Sequence, residues 1–322
     1  MLPRPAPTGA LVLAAGLGTR LRPLTADRAK PALPVAGPTL IERVLAGLRG
    51  HGVGRVLINL HYRPESITAI VGDGSALGLA VRYSWEMPLL GSGGGPRRAF
   101  SLVDDPRLWL VNADTLSDVD FEAMAAGHAR SSALVTMAVI PNPAPDRYGG
   151  LVVADTGEVT DFVPRGHAGP TWLFVGVQIA ERAAFEALSD GVPADSVGPL
   201  YRGLMAARPG AVRAFCGGGR FLDIGTARDY REACLALSGG RTVTGAGVVV
   251  GAGAVLDACV LWDRVRVGRD VRLTRAVVGD GVVVPDGFTA SDVVLVRGEA
   301  DGTDGTEGTI RRAWPLQSFP IA

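Results

Sequence analysis

Lysine is almost missing from this chain. Of its 32 basic residues one, Lys30, is a lysine, and the rest are arginines. Charge of one sign is missing too. The 32 acidic residues balance the 32 basic ones, so no bulk positive field is available to hold a nucleic acid, and no nucleic-acid partner is expected. Cysteine is rare. Cys216, Cys234 and Cys259 lie far apart with no CxxC spacing, which argues against a cysteine zinc site and a disulfide framework and implies a reducing, cytoplasmic setting. No apolar run reaches the roughly 20 residues of a membrane span, so no membrane partner is expected. The start, through Gly9-Ala-Leu-Val-Leu-Ala-Ala-Gly16, mimics a signal peptide. Its apolar part is short, however, and Gly-Thr-Arg follows where a cleavage region would lie, so it reads as a first strand.

What the chain has is glycine, 44 residues of it, and apolar side chains, 47% of its 322 residues. That length can bury one large core or two smaller ones. Short apolar runs at 10–14, 55–60, 80–83, 108–112 and 133–139 read as strands. They alternate with helix-period stretches at 40–49, 64–71 and 120–130. Thr39 caps the first of these helices, and Pro64 suits the first turn of the second. Residues 86–95 read as a loop ending in Gly91-Ser-Gly-Gly-Gly95, with Pro96 opening another helix. Strands at 149–153, 159–162 and 172–179 read as an inserted layer covering a crevice. Helices are expected near 181–188 and 197–206, a strand at 212–215 and a closing helix at 227–237. Strand and helix in turn imply an α/β, Rossmann-like, mostly parallel mixed sheet with helices on both faces and ligands at the carboxyl ends of its strands. The glycine turn after 10–14 and Asp114 after 108–112 both follow strand ends, which allows them to share one crevice.

After Gly239-Gly240 the period changes. Aliphatic residues recur about every six positions from Val250 to Gly287, the mark of a hexapeptide parallel β-helix of about three coils, placed at 242–298. Arg266 with Arg272, and Arg269 with Arg275, are six apart and are expected in pairs on an outer face, near Asp263, Asp270 and Asp280. Residues 299–322 read as a flexible C-terminal tail, polar and glycine-rich at its start. Its Trp314, Leu316, Phe319 and Ile321 suggest docking back on the protein. Hexapeptide helices also form acyltransferases, which usually need a histidine base. His51, His61, His128 and His167 all lie outside this one, which favours an assembly role and a homo-oligomer formed through the β-helix.

The chemistry concentrates between Leu11 and Pro31. A buried strand breaks into a turn with Gly16 and Gly18, followed by Arg20, Arg22, Arg28 and Lys30. Such a turn exposes backbone N–H groups that can cradle phosphate. Arg20 offers a bidentate fork and Lys30 a point charge. Leu21 stands where a dinucleotide GxGxxG turn needs its last glycine, and the Gly-Lys-Ser/Thr of a P-loop is absent.

Leu13–Thr25 with Lys30-Pro31 and Pro34-Val-Ala-Gly37 closely resembles the nucleoside-diphosphate-sugar pyrophosphorylases, the sugar-1-phosphate nucleotidylyltransferases. The resemblance continues through Leu90-Gly-Ser-Gly-Gly94, Val111-Asn-Ala-Asp114, Tyr148-Gly149, Phe174-Val-Gly176 and Asp223-Ile-Gly-Thr226. It makes 1–238 a nucleotidyltransferase domain and implies that the β-helix is left-handed. Within the family, the chain looks most like mannose-1-phosphate guanylyltransferases and N-acetylmuramate-1-phosphate uridylyltransferases. Thymidylyltransferases more often carry Gly-Gly where this chain has Ala14-Ala15. The resemblance implies transfer of NMP from an NTP to a sugar 1-phosphate, with GTP and mannose 1-phosphate the leading pair. The alternatives are a UTP- or dTTP-dependent enzyme and a non-catalytic nucleotide-sugar-binding regulatory subunit.

The same resemblance distributes roles. Arg20, Lys30 and Asp114 are the expected catalytic residues. Ala14, Ala15, Gly16, Gly18, Thr19, Arg20, Gly91 and Ser92 are expected to bind the nucleotide. Lys30, Gly149, Arg165 and Gly176 are expected to bind the sugar phosphate. Asp114 and Asp223 are expected to hold Mg²⁺. Three departures stand out. Ala113 replaces a glycine before the metal aspartate. Phe174 stands where a polar residue is common. Val163-Pro-Arg165 replaces a Glu-Lys-Pro motif, so Arg165 stands in for a lysine and the glutamate is gone.

Overall fold

The computed structural model describes residues 5–217, 219–298 and 316–321. They belong to two compact units, one of Met1–Leu17 with Leu40–Leu222 and the other of Gly18–Thr39 with Asp223–Ala322. These units cut across the expected segments 1–238, 242–298 and 299–322, because 18–39 and the last helix before the repeats group with the β-helix.

The first unit is a layered α/β structure. Its elements are β1 (Gly9–Leu13), α1 (Leu40–Gly50), β2 (Arg55–Leu60), α2 (Pro64–Val71), β3 (Ala80–Trp85), α3 (Gly91–Ser101), β4 (Arg107–Asn112), β5 (Thr115–Ser117), α4 (Phe121–Arg130), β6 (Val135–Pro141), β7 (Gly150–Val153), β8 (Val159–Val163), β9 (Trp172–Glu181), α5 (Tyr201–Ala207), β10 (Val212–Cys216) and β11 (Phe221–Asp223), the last running into the second unit. The main sheet has the order β10-β6-β9-β4-β1-β2-β3. β1 runs parallel to β2 and β4, and β2 runs parallel to β3. β9 is antiparallel to both β4 and β6, so the sheet is mixed. β1 and β2 are nearly continuous apolar runs because helices cover both faces of a parallel sheet. α1 buries Leu40, Ile41, Val44, Leu45 and Leu48, the stripe its spacing requires. The core gathers Leu11, Phe100, Leu110, Met137, Phe185 and Tyr201. Truncating either phenylalanine to alanine is expected to cost about 3–5 kcal/mol.

Four features differ from the sequence expectation. The glycine run 91–95 is helix, not loop. Its backbone lies so close to the segment 192–194 that Gly93 N donates to Ala194 O at 2.8 Å, and a Cβ on Gly94 would stand 2.6 Å from Val192 O. The expected helix 181–188 is the end of β9 and a 3₁₀ turn, because Glu181 remains paired with Arg107 in the ladder. β9 belongs to the main sheet rather than to an inserted layer, and only β7 and β8 form a side hairpin. β5 was not anticipated; it pairs with β11.

The second unit holds the loop 18–39, α6 (Ala227–Leu237) and the β-helix. A reciprocal capping box between Thr226 and Asp229 starts α6. Three parallel ladders form the β-helix, and register partners such as Val243, Val260, Val277 and Val294 lie 17 residues apart. Two sides of each coil take six residues and the third takes five. That short side accounts for the slips in the sequence repeat. It also corrects the arginine expectation. Residues six apart sit on adjacent faces, so Arg266 and Arg272 occupy different ladders, while Arg269 pairs with Asp286 and Arg275 with Asp292 one coil on. Val265, Val271, Val282, Leu261, Leu273 and Leu295 stack inside. Leu316–Pro320 forms a strand antiparallel to Val293–Arg297, so this part of the expected flexible tail is a sheet edge. Trp314 and the rest of 299–315 lie outside the described residues.

Candidate active site

In the first unit the site grows from neighbouring strand ends. β1 and β4 are paired up to Leu13 and Asn112, and Ala113 N donates to Leu13 O at 3.0 Å. This holds Asp114, in the turn after β4, beside the Ala14-Ala15-Gly16 turn after β1. Ala14 and Ala15 are buried. Gly16 is exposed, and a Cβ there would meet nothing within 4 Å, so its surface is open to an incoming group.

A buried polar chain braces this turn. Ala14 N donates to Asn59 Oδ1 at 2.7 Å, and Asn59 Nδ2 donates to Glu86 Oε1 at 2.7 Å. The other carboxylate oxygen accepts from Leu90 N at 2.8 Å. Asn59 and Glu86 are both 2% exposed, so each polar group needs the partner it has. Glu86 thereby ties the end of β1 to the start of α3. Sequence reasoning missed both residues. Their signal was a polar residue inside the apolar run Leu57-Ile-Asn-Leu60 and an acid directly after β3.

Gly91 and Ser92 open α3, but their surroundings are structural. A Cβ on Gly91, where φ is +75°, would stand 2.8 Å from Ala194 O, and Ser92 Oγ accepts from Ser196 N at 2.9 Å. Gly176, with φ +83°, lies against the turn that carries Asp114. A Cβ there would overlap Thr115 Oγ1 and stand 3.1 Å from Asn112 Cβ. Gly149 and exposed Arg165 come together at the mouth of the β7–β8 hairpin, where a Gly149 Cβ would be 3.7 Å from Arg165 N.

The second unit carries Gly18, Thr19, Arg20, Lys30 and Asp223. Gly18 has φ +62° and leads into the 3₁₀ turn Thr19–Leu21. Its carbonyl accepts from Leu21 N at 3.0 Å and from Thr25 Oγ1 at 2.9 Å. A Cβ on Gly18 would stand 3.3 Å from both Lys30 Cβ and Thr25 Cγ2, so the turn closes against the lysine. Lys30 is 8% exposed. Arg20 is exposed and reaches a second glycine. A Cβ on Gly225 would lie 3.1 Å from Asp223 Oδ2, 3.2 Å from Asp229 Oδ2 and 3.4 Å from Arg20 Nη1. The missing side chain leaves a small cradle walled by two carboxylates and a guanidinium. Asp229 Oδ2 also accepts from Thr226 N at 2.9 Å, a role the sequence did not reveal.

Carboxylate oxygens such as those of Asp223 in the second unit and Asp114 in the first are the kind of ligand that Mg²⁺ takes. The ion takes hard oxygen ligands and needs only one or two protein carboxylates beside waters and phosphate oxygens. Asp223 presents an oxygen at the Gly225 cradle, and Asp114 offers a carboxylate at a strand end.

Comparison with known proteins matches two family models, one to each part of the chain. The nucleotidyl transferase family model matches residues 9–238, and the model of the GlmU-like C-terminal hexapeptide matches 235–292. The chain is 29% identical over 222 residues to a mannose-1-phosphate guanylyltransferase of Mycobacterium tuberculosis, covering 69% of this chain and 62% of that relative's length. It is 30% identical to a D-glycero-alpha-D-manno-heptose 1-phosphate guanylyltransferase of Aneurinibacillus thermoaerophilus, over 70% of this chain and 96% of the relative. It is 34% identical to an N-acetylmuramate alpha-1-phosphate uridylyltransferase of Neisseria meningitidis, again over 70% and 96%. Among solved structures, HddC from Yersinia pseudotuberculosis shares the fold, with a TM-score of 0.62, 24% identity and coverage of 71% of this chain and 99% of that one.

Proposed function

The chain belongs to the nucleotidyl transferase family, and within it we propose transfer of a nucleoside monophosphate from an NTP to a sugar 1-phosphate, releasing pyrophosphate, with GTP and mannose 1-phosphate as the leading pair. The observation that carries this reading is the close packing of the Gly18 turn against the chain's single, buried lysine. Two highly charged phosphates repel each other, so the site must align them and supply positive charge. Arg20 is proposed to hold the β- and γ-phosphates with its fork. Lys30 is proposed to stand between the α-phosphate and the incoming sugar phosphate, where a compact ammonium fits better than a planar guanidinium. The open surface at Gly16 lets the nucleotide approach the backbone after β1. Gly149, Arg165 and Gly176 are proposed to face the sugar phosphate. Asp114 and Asp223 are proposed to hold Mg²⁺, which when bound neutralises phosphate charge.

The guanine assignment is supported by the two guanylyltransferase relatives. A second reading, uridylyl transfer, is favoured by the 34% identity to the Neisseria relative. A thermal-shift screen with GTP, UTP, dTTP, CTP and ATP in the presence of Mg²⁺ tests the class and ranks the bases. A nucleotide at about 100 times its dissociation constant stabilises the fold by roughly 2.7 kcal/mol. The absence of a shift with every nucleotide would contradict the proposal.

A further inference from the structure

The loop 18–39 carries Arg20 and Lys30 and belongs to the same compact unit as α6 and the β-helix. Side chains of both elements grip it at two points. At the first, Arg28 donates to Asp280 Oδ2 and lies over the indole of Trp262, 4.7 Å from the ring centroid. The coil fixes Asp280 itself, since its Oδ1 accepts from Asp263 N at 3.1 Å. One oxygen therefore continues the aspartate ladder of the β-helix while the other takes the arginine. At the second point, Tyr230 of α6 donates to Pro34 O. Trp262 connects the two points, because its Nε1 donates to the Tyr230 hydroxyl at 2.7 Å. Tyr230 is fully buried and Trp262 is 5% exposed.

The grips bracket Lys30, one at Arg28 before it and one at Pro34 after it. Between them the loop makes the 3₁₀ turn Lys30–Ala32. A charge-assisted hydrogen bond and a cation–π contact, both partly shielded from water, are stronger restraints than such a turn. We infer that the β-helix is a positioning scaffold for the phosphate-binding loop: Asp280, Trp262 and Tyr230 set the place of Lys30 without touching substrate. This extends the assembly role that its repeat suggests. Its activity arm rests on the proposed transfer reaction, and its structural arm does not.

Hydrogen–deuterium exchange on the full chain tests the structural arm. Asp280→Ala and Arg28→Ala are compared with wild type and with Arg269→Ala, which removes an exposed ion pair elsewhere on the β-helix. Exchange across residues 18–33 rises about 10-fold in the first two variants and stays at the wild-type level in the third. Arg28→Lys, which keeps the cation, recovers part of the protection. In turnover assays kcat falls about 10- to 100-fold in the first two variants, with KM for the NTP nearly unchanged, as expected when a charge is displaced rather than removed. Arg28→Ala alters only the loop side, so it decides the matter even where Asp280→Ala fails to fold. Wild-type exchange across 18–33 in Arg28→Ala would overturn the inference. A wild-type protein with no turnover would count against the transfer reaction alone and leave exchange to decide the scaffold.

Discussion

Gly18 and Lys30 are packed against each other so closely that a Cβ on the glycine would stand 3.3 Å from the Cβ of the lysine. The contact makes the turn a support for the lysine. Lys30→Arg is expected to keep the melting temperature near wild type and to lose most turnover, because a planar fork cannot stand where a compact charge lies between two phosphates. Gly18→Ala, at φ +62°, is expected to lower stability by about 1–2 kcal/mol. Near-normal activity of Lys30→Arg would mean that the position requires only positive charge.

The cradle at Gly225 predicts a metal phenotype. An alanine methyl there would press within 3.1–3.4 Å of Asp223, Asp229 and Arg20. Gly225→Ala is expected to fold, since its backbone is not left-handed, and to need several-fold more Mg²⁺ for half-maximal activity. A magnesium titration of initial rates checks this, and an unchanged requirement would contradict the proposal that Asp223 holds the ion.

The Asn59–Glu86 pair predicts a stability effect. Asn59→Ala removes the donor to a buried carboxylate and the acceptor of Ala14 N, for a cost of about 2 kcal/mol or more. Glu86→Gln is expected to be milder but still destabilising. Both Glu86 oxygens accept, and an amide offers one acceptor oxygen only. Urea unfolding of the two variants measures both effects.

Two tyrosines give a pH signature. Burial raises the pKa of Tyr201 and of Tyr230 above the usual phenol value. Tyr201 donates to Gln178 Oε1 at 2.9 Å. A group whose folded pKa is raised stabilises the fold fully below its unfolded value and loses that contribution as pH rises through the folded one. The melting temperature is therefore expected to fall above about pH 10. Tyrosinate absorbance from these two residues is expected to appear with unfolding rather than before it. Tyr201→Phe should flatten the alkaline decline, and native-state ionisation of both phenols near pH 10 would contradict the burial argument.

Much of the fold was legible because its strands are short apolar runs, and α1 announces itself by its buried stripe. α3 was not, since a glycine run reads as loop until the neighbouring carbonyls at 192 and 194 are seen to require it. The 17-residue coil was blurred for a related reason. Corners at Ala258, Arg275 and Asp292 adopt positive φ without glycine, so the five-residue side carries no glycine signal. In the candidate site, Gly16 and Asp114 stood out because each follows a strand end, and their proposed roles come from the family resemblance. Asn59, Glu86, Thr115 and Asp229 were missed because their roles depend on partners distant in sequence or on a cap formed only in the fold. Arg28 was noted as one more basic residue of the loop, and only its contacts with Trp262 and Asp280 separate it from Arg20.

The central claim is nucleotidyl transfer to a sugar 1-phosphate. It is tested most directly by following pyrophosphate release with Mg²⁺ present, over every pairing of the five NTPs with a panel of sugar 1-phosphates. Release is predicted for at least one pairing, highest with GTP and mannose 1-phosphate, and abolished by a chelator and by Asp114→Asn. No release from any pairing by the folded protein, with an NDP-sugar nevertheless binding in calorimetry, would contradict the claim and mark the chain as a nucleotide-sugar sensor.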